Sequence, residues 1–511
     1  RLRRRRPASG GGAVNAVLLA WLPLMAVGVS ALAGIGLFLA GEQRQRLRTT
    51  LNLLAAVAKL LLVGLMGLFI VGGQVPEFRM PLLPGLDLVL RADALSMLFA
   101  ALSAVLWLVT TVYAIAYLER SADRARFFGF FSLCVTATMG IAMAGNLLTF
   151  FIFYELLTLT TWPLVVHSGT RAAFDGARTY LVHTLGAGAL FLAGMVWLYA
   201  LSGPQDFVGG GSLAALAPAH APQLQLIFLL LVVGMGVKAA LFPLHSWLPQ
   251  AMVAPAPVSA LLHAVAVVKA GAFGLVRLVE DIYGPALVAE LGLALPLAIV
   301  AGFTIVYGSV LALRQDDIKK RLAYSTVSQV SYIALDIAVG GPLATIGGVV
   351  HLVHQGLMKI VLFFCAGIYG NLLGVKKLHQ LDGVGRRLPW TSACFTVGAL
   401  GMIGLPPIAG FVTKWYLGAG AVAAAMPWVV GVLVASTLLN AAYFLPLLKR
   451  IWLHPAPSRW PDEAPVSRFE AQGMIGSAVV AATMAVGVGL FAGHPLSPLS
   501  WVTGIVKGYF P

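Results

Sequence analysis

Long apolar runs alternate with short polar loops along the 511 residues, at the spacing of bilayer crossings rather than of strands. Runs of spanning length fall at 14–40, 51–72, 94–117, 127–144, 147–166, 180–201, 226–247, 258–278, 286–313, 323–339, 344–369, 391–417, 427–448 and 473–490. The pattern predicts an all-α polytopic membrane protein with about 14 transmembrane helices in a single membrane domain over 1–511. Within it, 127–278 and 286–448 are expected to form two inverted repeats, flanked by helices in 14–117 and 473–490. Arg1 and Arg3 to Arg6 before the first run resemble the basic start of a signal peptide. The run itself is too long for one and reads as the first membrane helix.

Composition agrees with the pattern. Hydrophobic residues make up 59% of the chain and charged residues 10%, and the mean hydropathy is +0.90; a bilayer can cover that much apolar surface and water cannot. The net charge of +15 comes from 34 basic and 19 acidic residues. The basic residues cluster in loops after odd-numbered runs, among them Arg44, Arg46, Arg120, Arg124, Arg126, Arg314, Lys319, Lys320, Arg321, Lys376, Lys377, Arg386 and Arg387. Loops after even-numbered runs hold little beyond Arg79, Arg91 and Arg277. By the positive-inside rule this predicts cytoplasmic odd loops, both termini outside, and a bacterial inner membrane. The charge therefore reads as topology, and no basic-aromatic patch suggests nucleic acid.

Cys134, Cys365 and Cys394 each lie inside an apolar run without a CxxC or a neighbouring histidine ligand. Iron–sulfur and structural zinc sites are not expected, nor, without a GxGxxG turn, are nucleotide cofactors. His351 and His354 are three apart, but no carboxylate or cysteine completes a zinc set. No cofactor and no metal are expected.

The candidate chemistry lies in ionisable residues inside the apolar runs, which cost roughly 2.5–3.5 kcal/mol each to insert and are functional candidates for that reason. Glu155 stands in FFIFYELLTLTTWPL, Lys238 in LVVGMGVKAALFPLHSWLP, Lys269 in SALLHAVAVVKAGAFGLV and Lys414 in GMIGLPPIAGFVTKWYLGA. Pro243 follows Lys238 and Pro406-Pro407 precede Lys414, so two helices are expected to break beside a buried lysine. The order of lysine and proline reverses between the two, as inverted repeats would require. Histidines titrate near neutral pH and can pass protons along wetted paths. His263, His351 and Lys359 are primary candidates for such a relay, with His183, His245 and His354 as secondary ones. His351 and Lys359 are eight apart, on one side of a helix.

These motifs resemble the antiporter-like membrane subunits of respiratory complex I and of Mrp-type cation/proton antiporters. The resemblance runs from about Asp93 to Lys414 and is most specific in VKAALFPLHSWLPQAMVAPAPVSALLHA and DDIKKRLAYSTVSQVSYI. It implies a 14-helix core with inverted repeats and two broken helices. It also implies that Glu155 pairs electrostatically with Lys238, the proton-binding lysine of a first half-channel. His263 and Lys269 would connect to a second half-channel holding His351 and Lys359 and ending at Lys414. Gln355 stands where relatives often carry a histidine, four residues before Lys359. The lysine at 269, and the absence of a long lateral helix after the last run, favour the Mrp D-type or middle complex I subunits.

The function expected is translocation of protons, or of sodium in exchange for protons, by one subunit of a hetero-oligomeric membrane complex. Two coupled alternatives stay open: a pumping subunit of a complex I-like oxidoreductase or membrane-bound hydrogenase, and a membrane subunit of an ion-driven inorganic-carbon uptake system. No motif of an energy-supplying reaction appears in the chain, so the driving force must come from partners or an ion gradient. A passive scaffold would not carry the insertion cost of the buried lysines.

Overall fold

In a bilayer every backbone polar group must be satisfied within the protein, so apolar runs close into helices wherever proline does not intervene. The computed structural model describes residues 11–463 and 467–510; Arg1 and Arg3 to Arg6 lie outside the described residues. The chain opens with α1 (Gly11–Ala40) and α2 (Gln45–Val71), then a hairpin of β1 (Glu77–Leu83) and β2 (Leu86–Arg91). Next come α3 (Ala94–Tyr117), α4 (Arg124–Ala142), α5 (Leu147–Val165), α6 (Arg171–Ser202) and α7 (Ala217–Lys238). Beyond a break lie α8 (Trp247–Gln250), α9 (Ala256–Ala264) and α10 (Val267–Val276), the last continued by a π-helical stretch at Arg277–Tyr283. Then follow α11 (Pro285–Glu290), α12 (Ala294–Leu313), α13 (Ile318–Val339), α14 (Pro342–Leu373) and α15 (Val384–Arg387). The chain closes with α16 (Pro389–Ile403), α17 (Ala409–Ala423), α18 (Pro427–Leu453), α19 (Arg468–Leu490) and α20 (Pro498–Tyr509).

Polar residues at the run boundaries set many of the helix starts. Asp93, Asn146, Thr170 and Asp317 each accept a hydrogen bond from a backbone N–H of the first turn of α3, α5, α6 and α13. Ser467 and Glu470 form a reciprocal capping box at α19.

Among the described residues, 13 helices are long and apolar enough to cross a membrane. The remaining expected run, 391–417, is two helices of 15 residues each, α16 and α17, separated at Gly404–Ile408 around Pro406-Pro407. The span count and this expected break therefore agree. The break after Lys238 is also present, as turns from Ala239 to Ser246 with Ala240 in the left-handed region at φ +58. A third interruption, at Val265–Ala266 between α9 and α10, has no proline to announce it.

The spans are not equal. The segment Ala256–Tyr283 is wholly enclosed and α14 is buried from Ala344 to Tyr369, whereas α2 presents most of its surface outward. The enclosed α14 packs against α3, α9, α13, α16, α17, α19 and α20. His263, Lys269, His351, His354 and Lys359 sit on Ala256–Tyr283 and α14, and the backbone of Lys238 packs against Gly271 of the first.

The hairpin and α20 lie outside the apolar runs. Its strands pair antiparallel from Glu77↔Arg91 to Leu83↔Leu86. Arg79 binds Glu77, Asp87 and Asp206, and Arg91 binds Glu77 and Asp206. Arg277 binds Asp93 and Asp281. All three basic residues named above for the even-numbered loops are thus matched by local carboxylates, as are Arg120, Arg387 and Arg450 of the odd-numbered loops, by Glu470, Glu463 and Asp382. Helix α20 rests on α3 and α14, where Trp501 Nε1 donates to the carbonyl of Ala94 at 2.8 Å.

Candidate functional site: a buried row of lysines and histidines

A lysine at the end of a helix inside a bilayer needs an acceptor that the helix no longer provides. Lys238 is the last residue of α7 and is fully buried; its Nζ donates to the backbone carbonyl of Tyr154 on α5 and stands over that residue's ring, 3.3 Å from the centroid. Tyr154 is held by its hydroxyl, which donates to Gly234 O at 2.9 Å. The neighbouring carboxylate, Glu155, turns towards α6, where a Cβ added at Gly188 would stand 2.5 Å from its Oε1. Glycine at 188 makes room for this carboxylate, and Oε1 has no hydrogen-bond partner in the protein. Glu155 and Lys238 act on one another through space without an ion-pair contact. Gly271 of α10 lets the enclosed helix press directly on the backbone of Lys238 and Ala239.

The break after Lys238 gathers two of the secondary histidines. His183 Nδ1 donates to Thr179 O at 2.8 Å, so its Nε2 faces the Ser246 hydroxyl, 3.0 Å away, as an acceptor. His245 stacks on Phe242 and meets Tyr307 edge-on, and its Nδ1 has no protein partner.

The remaining candidates line the central helices. Lys359 donates from Nζ to Leu322 O at 3.1 Å and to the Ser325 hydroxyl, both on α13. His263, fully buried on α9, stacks on Phe363 at 4.5 Å, and neither ring nitrogen has a protein partner. Lys269 is fully buried, and its Nζ also lacks a protein partner. It lies within electrostatic range of His351, His354 and Lys359. His351 and His354 direct their Nδ1 atoms at one hydroxyl, that of Thr413 on α17, at 3.2 and 3.1 Å. A hydroxyl has one proton to give, so at least one of those Nδ1 atoms must carry its own. Both Nε2 atoms are unpartnered. One residue on, Lys414 donates to Ile403 O at 2.6 Å and to Thr437 Oγ1 at 2.8 Å. Ile403 closes α16, so the second broken helix supplies its own lysine's acceptor.

The expected residues therefore fall into two centres, one around Glu155, Lys238 and the histidines at 183 and 245, the other around His263, Lys269, His351, His354, Lys359 and Lys414. Gly271 marks where they touch. At one end of the spans a cavity of about 850 Å³ opens among Asp123, His167, Asp317, Lys319, Lys320 and Lys376. It reaches Ala366 and Gly370 on α14, the helix that carries Lys359.

Among the buried carboxylates and lysines not singled out from the sequence, three stand outside any ion pair among the described residues. Asp336, fully buried on α13, has both carboxylate oxygens unpartnered and packs its side chain, Oδ2 included, against Gly347 and Gly348 of α14. Glu280 accepts from Thr345 at 3.1 Å, leaving its second oxygen unpartnered. Lys59 is enclosed by α1, α3 and α4. The signal that found the other lysines, an ionisable residue inside an apolar run, was available for Asp336 and Lys59; Glu280 lies just past the end of run 258–278.

Comparison with known proteins adds the family. Residues 144–445 match the family described as NADH:quinone oxidoreductase/Mrp antiporter, TM. The chain is 36% identical over 381 residues to NADH-quinone oxidoreductase subunit N of Desulforudis audaxviator, covering 73% of this chain and 74% of that protein. It is 31% identical over 387 residues to a probable K(+)/H(+) antiporter component of Rhizobium meliloti, covering 74% of this chain but 38% of that longer protein. In fold it is similar to a chain of the Mrp complex from Dietzia, with a TM-score of 0.84, 22% identity and coverage of 97% and 98% of the two chains. A chain of respiratory complex I from Thermus thermophilus gives a TM-score of 0.75 at 23% identity, covering 97% of this chain and 100% of that one. With the family match spanning more than half of the chain, and the buried row inside it, the protein belongs to the NADH:quinone oxidoreductase/Mrp antiporter transmembrane family.

Proposed function

We propose that the chain carries protons through a membrane along the row Glu155, Lys238, His263, Lys269, His351, Lys359 and Lys414, as the antiporter subunit of an Mrp-type multisubunit complex. One observation carries the reading: Lys238, Lys359 and Lys414 all meet main-chain carbonyls, two of them beside broken helices, without a carboxylate in contact. A lysine held by neutral acceptors can give up its proton without stranding a paired carboxylate, which suits a relay better than a structural ion pair does. A cation approaching Lys238 competes for the field of Glu155, and the released proton moves through water and the histidines towards Lys414. His183, His245 and His354 supply side branches.

On this reading 127–278 and 286–448 are inverted repeats, the first placing its break after the lysine and the second before it. Both termini face the periplasm of a bacterial inner membrane. The 850 Å³ cavity, bordered by loops after odd-numbered spans, is then the cytoplasmic mouth.

A second reading, a redox-driven pump subunit, is favoured by the 36% identity to subunit N across most of that protein. Proton flux in inverted vesicles carrying the whole complex separates the two. Sodium or potassium should collapse the pH gradient with native Lys238 and fail to do so with Lys238→Ala. No cation response in the native complex, with flux appearing only on electron transfer, would select the second reading. Equal responses of native and variant would remove Lys238 from the path.

A further inference from the structure

Outside the row, one ionisable group is enclosed as completely as any in it. Lys59, on α2, is fully buried, although α2 faces mostly outward. Its Nζ lies 2.5 Å from Ser30 Oγ of α1, which also accepts from Thr136 Oγ1 of α4 at 2.8 Å. The ammonium position stands 4.9 Å from the ring centroid of Trp107 on α3. Those neighbours carry no charge, and no carboxylate is in ion-pair contact with Lys59 among the described residues.

The surroundings hold several buried polar groups, Ser103 Oγ one turn before Trp107 among them. Asn52 Oδ1, Thr110 Oγ1 and Ser132 Oγ are buried without protein partners. Successive spans run in opposite directions, so Asn52 lies two turns before Lys59, Thr110 one turn after Trp107 and Ser132 one turn before Thr136, all towards the face bearing the α1–α2 loop. Buried oxygens without protein partners are met by water. This pocket is built entirely from residues before 144, outside the segment that matches the family.

We propose that Lys59 is an additional proton-binding site, reached by a water-filled path past Asn52, Thr110 and Ser132 from the face of the α1–α2 loop. Release breaks an ammonium N–H bond and passes the proton to a water oxygen; reloading reverses the step, so atoms and charge balance without another reactant. Ser30 is the positioning residue, orienting Nζ between the path and Trp107.

The test uses the intact complex in inverted vesicles, with Lys238→Ala as the parallel control. Lys59→Met and Lys59→Arg should each lower cation-driven proton flux several-fold, because neither can release a proton. Native flux in Lys59→Met, or its restoration by Lys59→Arg, would overturn the proposal by leaving Lys59 inert or a fixed charge. A second measurement does not depend on flux: Lys59→Cys should react with a small water-soluble thiol reagent, and Thr110→Val with Ser132→Ala should suppress that reaction. The native cysteines are all buried and give the background. No labelling of Lys59→Cys would overturn the wetted path even if the translocation reading itself failed.

Discussion

Lys238 and Tyr154 are joined twice: the ammonium donates to the tyrosine's carbonyl and stands over its ring, 3.3 Å from the centroid. The ring stabilises the charged lysine at a place where no carboxylate touches it. A desolvated cation–π contact is worth about 2 kcal/mol. Tyr154→Leu should therefore lower cation-driven proton flux by up to about thirtyfold. Tyr154→Phe keeps the ring, loses the hydroxyl's bonds to Gly234 O and, at 3.4 Å, Met235 O, and should retain most of the flux in the same vesicle assay.

Thr413 serves two histidines with one hydroxyl. Thr413→Val keeps the shape and removes the shared partner, leaving both Nδ1 atoms unsatisfied. Flux should fall several-fold, and Thr413→Ser should restore it. If Val and Ser variants behave alike, the two histidines do not work through this hydroxyl.

Gly188 is the neighbour that Glu155 needs. A methyl group at 188 would meet the carboxylate at 2.5 Å from Oε1 and force it aside. Gly188→Ala should therefore reproduce the flux defect of Glu155→Gln, and the double variant should show no further loss, since both act on one group. Additive defects in the double variant would mean that the glycine acts elsewhere.

The hairpin outside the membrane carries its own pH dependence. Burial pushes the Glu77 carboxyl up, but hydrogen bonds and charge from Arg91 and then Arg79 outweigh it and hold the group below its ordinary 4.5. A carboxylate whose folded value is depressed adds stability above the unfolded value and loses it as pH falls through the folded one. The protection of the peptide 77–91 against hydrogen exchange, relative to the intrinsic rate at each pH, should be high at neutral pH and fall as pH drops below the ordinary glutamate value of 4.5. Glu77→Gln should exchange fast throughout and lose that dependence.

Much of this architecture was legible because a bilayer leaves few choices. An apolar run must become a helix, and a proline beside a lysine must free carbonyls, so the breaks near Lys238 and Lys414 could be read from residue order. The interruption at Val265–Ala266 could not, since neither proline nor glycine stands there to mark it. The lysines stood out against their runs, and the same rule applied evenly would have found Asp336 and Lys59. What spacing cannot supply is the partner. The resemblance paired Lys238 with Glu155 electrostatically, and the atom that Nζ touches is the carbonyl one residue earlier. The convergence of His351 and His354 on Thr413, 59 and more residues away in sequence, likewise belongs to the tertiary fold alone.

Because Lys238, Lys359 and Lys414 rest on the carbonyls of Tyr154, Leu322 and Ile403, half of each contact is invisible to genetics. Alanine scanning deletes side chains, and no codon change removes a carbonyl. Selection, too, can rewrite residues 322 and 403 so long as the helices keep their path, whereas 154 must also keep its ring. The acceptors of the proposed relay are therefore a matter of backbone shape, and two proteins can share them without sharing the residues that provide them.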